Sequence, residues 1–171
     1  MTDPHYLRLL AREYPNADAA ASEIINLNGI LCLPKGTEYF FSDLHGESEA
    51  FGYLLNSASG ITRDKIEWLF QKSVSLRERE ELANLVYAPE QVLSQKDTGD
   101  DYCEWCEITF YRLVQVCKTV ASKYTRSKVR KKMPETFAYV IDELLHADTE
   151  DTKEQYYGEI IHSITRTGMA E

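Results

Sequence analysis

Apolar residues recur three and four positions apart along nearly all of this chain, and one short run, Tyr39-Phe40-Phe41, departs from that spacing. The spacing commits most of the chain to helices, because a 3.6-residue period brings such positions onto one face. Asp3 followed by Pro4 predicts a capped helix start, and Leu7, Leu10 and Tyr14 then share a side. Tyr14-Pro15 ends that helix, since the residue before a proline is driven out of the helical region. Asn16 is placed to cap a second helix carrying Ile24, Leu27 and Leu31, closed by Pro34, Lys35 and Gly36. Further stripes run through Phe51, Leu54, Leu55 and Ala58, through Ile66, Leu69 and Phe70, and through Leu82, Leu85 and Val86. SQKDTGDD reads as a surface loop. A long helix is predicted from about Tyr102 to Lys132, with Leu113, Val116, Cys117, Val120 and Tyr124 as its apolar seam. Met133-Pro134 breaks it. Val140, Ile141, Leu144 and Leu145 mark the next helix, and Tyr157, Ile160, Ile161 and Ile164 the last.

Tyr39 to Phe41 predict a β-strand, so the expected fold class is mostly α with one clear strand. A lone strand leaves its backbone N–H and C=O groups unpaired. The expectation is therefore that it pairs with another chain, or that its sheet lies outside this sequence. The ending TRTGMAE, abrupt after a helix, favours the second case: a truncated chain.

Composition narrows the functional classes. With 171 residues, 43% hydrophobic and 27% charged, the chain can bury a core and should fold. A formal net charge of −9 argues against nucleic acid as a general partner. No apolar stretch is long enough to span a membrane, and MTDPHYLRLLAREY is too charged for a secretory signal. Four cysteines without an export signal suggest reduced thiols in a cytoplasm.

The strand runs into FFSDLHGE, and its end carries the chemistry. Asp43 and His45 stand two apart, so in an extended segment both point to one side and can reach a single ion. Carboxylate and imidazole together suit a divalent metal such as Mn, Fe or Zn. Gly46 allows a sharp turn. The same residues admit a plainer reading, in which Asp43 caps a helix beginning near Glu47, itself a first-turn acid.

The Asp-x-His-Gly run resembles the first metal-binding signature of the calcineurin-like metallophosphoesterases. Longer stretches are similar to the N-terminal part of class III fructose-1,6-bisphosphatases: YLRLLAREYPNADAAASEIINLNGILCLPKGTEYFFSDLHGESEAF, LANLVYAPEQVL, ITFYRLVQVCKTVASKYTRSKVRKKMPETFAYVIDELLH and YYGEIIHSI. The likeness covers nearly the whole chain in order and is weakest around SQKDTGDDYCEWC. It implies the N-terminal piece, with a helical insertion, of an α/β metallophosphoesterase sandwich. Residues 1–60 would belong to the catalytic core and residues 61–171 to the insertion. It also implies a site for two divalent ions, with manganese expected, the first held by Asp43 and His45, and a sugar bisphosphate as substrate. The superfamily's remaining signatures, Gly-Asp-x-x-Asp-Arg-Gly, Gly-Asn-His and Gly-His-x-His, do not occur in these 171 residues. The catalytic residues are therefore expected beyond Glu171, and the chain alone is expected to be inactive. A metallophosphoesterase of other substrate, or a helical interaction module docking on a partner sheet, are the alternatives.

Two other clusters stand out. Cys103 and Cys106 in CEWC have the spacing of a redox or zinc half-site, but no second pair completes a zinc site and no strand precedes it. They read as ordinary thiols at a helix start. KYTRSKVRKK concentrates six cations in ten residues. Lys123, Arg126 and Arg130 share one helical face, and Lys128 and Lys132 another. They complement the negative end of the long helix's dipole, or, given a bisphosphate substrate, Arg126, Lys128 and Arg130 are candidates to hold its second phosphate. His5, His146 and His162 read as surface or interface residues.

Overall fold

The computed structural model describes residues 3–36, 38–147 and 153–169. The elements are α1 (Pro4–Glu13), α2 (Ala17–Leu31), α3 (Ser48–Ser57), α4 (Ile61–Phe70), α5 (Leu76–Tyr87), α6 (Pro89–Ser94), α7 (Tyr102–Ala121), α8 (Arg126–Arg130), α9 (Ala138–Leu145) and α10 (Glu154–Arg166). Single 3-10 turns at Ala58–Gly60 and Glu135–Phe137 lead into α4 and α9.

The two caps that the sequence predicts, Asp3 and Asn16, form, and the structure adds a third. The Asp3 carboxylate accepts from the His5 N–H at 2.9 Å, and the Asn16 side chain accepts from the Ala19 N–H at 2.8 Å. Before α5, the Ser75 hydroxyl accepts from the Glu78 N–H while Glu78 accepts in return from the Ser75 N–H.

The core is built by α4, α5 and α7. Ile66 and Phe70 face Leu82, Ala83 and Tyr87, and Val116 closes the cluster. Partly buried Leu69, Val74, Val86 and Leu113 line its edge. Ile66 is wholly buried, which for such a side chain contributes about 1.5–3 kcal/mol. Charge pairs brace these helices from outside: Arg79 to Glu67 at 3.0 Å, Arg63 to Glu80 at 2.9 Å and Arg112 to Glu78 at 2.9 Å. Leu144 buries α9, and His162 of α10 meets Glu107 of α7 at 2.6 Å.

Before α4 the picture changes. Helices α1 and α2 form, yet neither buries a residue. Their apolar side chains face outward: Leu7 is 51% exposed, Ile24 59% and Leu31 82%. Among the described residues before Ile61, only Ser57 is buried.

Two expectations are corrected. No strand forms among the described residues, so the fold is helices and irregular segments, not mostly α with one clear β-strand. Residues 38–44 carry no regular structure, and Phe40 is 93% exposed. The physical reason is pairing: a β apolar pattern becomes a strand only when a neighbour accepts its backbone hydrogen bonds. No other described segment offers that edge, so the strand meant to place this region in an α/β sandwich is missing. The long helix also stops early. It ends at Ala121, where the Tyr124 N–H turns back to the Ala121 carbonyl at 2.9 Å. The Thr125 hydroxyl then accepts from the Lys128 N–H at 3.3 Å and starts α8 anew. Side-chain capping of this kind competes with a continuous helix. The end of the predicted seam is accordingly exposed, Val120 by 44%.

Candidate functional site

The segment leading to Asp43 is held at one point by the Phe41 ring. It meets the Phe51 ring of α3 edge to face, with centroids 5.9 Å apart and planes at 87°. The chain then reverses. His45 has φ +47° and Gly46 φ +75°, two successive left-handed residues. Glycine adopts that region freely, but a histidine there carries strain of about 1–2 kcal/mol. The turn is closed by the Glu47 N–H on the Leu44 carbonyl and the Ser48 N–H on the Gly46 carbonyl, both at 2.9 Å. Helix α3 begins directly afterwards.

This turn swings the imidazole back onto the carboxylate. His45 Nε2 lies 2.9 Å from Asp43 Oδ2. The sequence pairs these residues by strand alternation; the structure pairs them by a left-handed kink at His45. Both side chains are well exposed, 76% for His45 and 68% for Asp43, so the contact itself adds little to stability. Asp43 does not cap α3. The N-cap is Glu47, whose side chain makes no capping bond, and the first-turn acid is Glu49.

The pair fits a divalent ion. Neighbouring donors around an ion with bonds of about 2.1 Å stand roughly 3 Å apart, close to the separation seen here. It is an incomplete set, since among the described residues no group of three or more His, Cys, Asp or Glu could hold a metal.

The basic segment is divided by the fold. Arg126 reaches Asp142 Oδ2 of α9 at 3.4 Å, and Arg130 Nε lies 4.0 Å from the same oxygen. His146 donates from Nδ1 to the Asp142 backbone carbonyl at 2.7 Å. Lys128 instead places its ammonium 4.8 Å from the centre of the Tyr124 ring. The Tyr124 hydroxyl in turn lies 3.1 Å from where a β-carbon on Gly36 would stand. Asp142 and Gly36 were not legible as neighbours of the basic segment. Arg126 and Arg130 at i, i+4 do signal a shared face, but nothing in the sequence assigns that face to residue 142.

Cys103 and Cys106 lie in the first turns of α7, Cys103 exposed and Cys106 buried. No helix among the described residues is long and apolar enough to cross a membrane.

Residues 5–171 match the family description for Firmicute fructose-1,6-bisphosphatase. The chain belongs to this family. It is 47% identical over 171 residues to the fructose-1,6-bisphosphatase class 3 of Clostridium tetani, covering 99% of this chain and 26% of that protein. It is 50% identical over 171 residues to the class 3 enzyme of Clostridium acetobutylicum (97% and 25%) and 48% identical to that of Listeria monocytogenes (99% and 26%). The chain thus spans about a quarter of the length of these curated relatives. No solved structure matches it.

Proposed function

We propose that this chain forms part of a metal-dependent fructose-1,6-bisphosphatase, one that hydrolyses fructose 1,6-bisphosphate to fructose 6-phosphate and phosphate in gluconeogenesis, in the cytoplasm. The observation that carries the reading is the approach of His45 Nε2 to Asp43 Oδ2 at 2.9 Å in a chain of this family. Asp43 and His45 would hold the first of two divalent ions, with manganese the expected metal, in a metallophosphoesterase site. A divalent ion there supplies Lewis acidity toward a phosphoryl oxygen. The Asp43 carboxylate contributes negative charge and the His45 imidazole a neutral nitrogen donor, both already turned to one point. Residues 1–60 go with the catalytic core, and residues 61–171 form an insertion with the hydrophobic core around Ile66. The basic residues Arg126, Lys128 and Arg130 are candidates for the phosphate that is not cleaved.

The test is a hybrid in which residues 1–171 replace the matching quarter of the Clostridium tetani protein. The hybrid should release phosphate from fructose 1,6-bisphosphate with added Mn²⁺, Asp43→Ala or His45→Ala should abolish that release, and residues 1–171 alone should show none. Full activity in both variants would remove the reading. The outward-facing Ile25, Leu31 and Phe40 favour a second reading, a helical module that docks on a partner. That reading gains if the hybrid keeps its activity in the Asp43→Ala variant.

A further inference from the structure

Arg126, Lys128 and Arg130 carry like charges within five residues, yet the fold gives them different work. Arg126 and Arg130 lie one helical turn apart, and both guanidinium groups face Asp142. The Asp142 side chain is only 14% exposed, and its Oδ1 accepts no hydrogen bond from the described residues. A carboxylate so withdrawn from water needs cationic neighbours, and the two arginines supply them. His146, with Nδ1 3.4 Å from Oδ1, is the remaining titratable group of the cluster.

Lys128 lies two residues from each arginine, so it projects from the other side of α8. Among the described residues no carboxylate pairs with it; its neighbour is the face of Tyr124 at 4.8 Å. A cation–π contact orients an ammonium without neutralising it, and leaves its N–H donors available. The far end of Tyr124 approaches Gly36. Its hydroxyl lies 3.1 Å from the β-carbon position of Gly36, a spacing that a larger residue would disturb. Gly36 follows Lys35 and begins the segment that runs to Asp43. One tyrosine therefore stands between Lys128 and Gly36, at the start of the sequence that runs to Asp43.

We infer that Lys128, positioned by Tyr124, is the cation that receives the uncleaved phosphate of the sugar bisphosphate, while Arg126 and Arg130 serve Asp142. The inference rests on the phosphatase reading above. A compact ammonium binds a phosphate as a point charge, with no need for the bidentate geometry of arginine. Tyr124 acts here as a positioning residue.

The experiment titrates residues 1–171 with fructose 1,6-bisphosphate and, separately, inorganic phosphate, following backbone amide shifts. Saturable shifts at Lys35, Gly36 and Lys128 are expected. Lys128→Ala should weaken the bisphosphate response ~10-fold or more, while Lys128→Arg restores it. Tyr124→Leu should behave as Lys128→Ala does, and Tyr124→Phe as the parent, since the ring face is retained. An unchanged response in Lys128→Ala, shifts centred on the arginines, or no shifts at all would each overturn the inference. The hybrid enzyme separates this failure from the broader one. If Asp43→Ala abolishes phosphate release there while Lys128→Ala keeps the parent KM, Lys128 is wrong and the phosphatase reading stands. If Asp43→Ala is fully active, the phosphatase reading itself falls.

Discussion

His45 Nε2 lies 2.9 Å from Asp43 Oδ2, and a histidine backbone at φ +47° brings it there. An exposed pair of this kind contributes little to folding, while the turn that forms it leads into α3 through two backbone hydrogen bonds. A non-glycine residue held at positive φ is a common mark of a functional position.

That contrast gives the first prediction. Asp43→Ala and His45→Ala should each move the urea unfolding free energy of residues 1–171 by no more than about 0.5 kcal/mol. In the hybrid enzyme the same changes should lower kcat/KM at least ~100-fold, a loss of about 2.7 kcal/mol of transition-state stabilisation. Equal losses of stability and activity would mark the pair as structural.

Ile66 carries the opposite expectation. It is 0% exposed at the centre of the α4–α5–α7 core. Ile66→Ala should destabilise the chain by about 2–5 kcal/mol, read from denaturant unfolding. Leu7→Ala on α1, where the side chain is 51% exposed, should cost far less.

Glu78 links stability to acid. Hydrogen bonds from Ser75 and Arg112 hold its carboxyl down at about 2, against an ordinary 4.5. A depressed carboxylate stabilises the fold fully above its ordinary value, and that contribution fades as pH falls through about 2. Thermal melts between pH 6 and pH 2 should therefore fall less steeply for Glu78→Gln than for the parent. Parallel curves would show that the Ser75 and Arg112 bonds do not bias this carboxyl.

Tyr156 titrates in the other direction. A hydrogen bond with Tyr139, aided by desolvation, pushes its hydroxyl up to about 12 from 10. The associated stability is complete below pH 10 and is lost as pH rises through about 12. Tyr139→Phe should return the Tyr156 titration toward 10, measured by phenolate absorbance. An unmoved titration would place the cause elsewhere on α10.

Much of the helical layout was readable because its causes are local. Asp3-Pro4 and Asn16 start α1 and α2 by side-chain to backbone bonds spanning two or three residues. The stripe through Ile66, Leu69 and Phe70 marks the face that enters the core. The strand at Tyr39 to Phe41 was misread because the pattern shows preference but not the partner. The break at Ala121 was missed because Thr125 can cap a new helix or continue the old one, and only the observed turn at Ser122 to Tyr124 chooses. In the candidate site, strand alternation would bring Asp43 and His45 to one side, whereas the structure brings them within 2.9 Å through a left-handed turn. The sequence offered no hint that Asp142 would draw Arg126 and Arg130 away from Lys128.

By itself the sequence determined where most of the helices start, which faces are apolar and that an acid and a histidine fall two positions apart before a glycine. Those properties follow from neighbours a few positions apart. Tertiary structure alone decided that Tyr124 would reach Gly36, that one acid would take two arginines, and that the apolar sides of α1 and α2 would stay uncovered. Contacts between residues tens of positions apart depend on how whole helices come to lie against one another, and no short-range period encodes that.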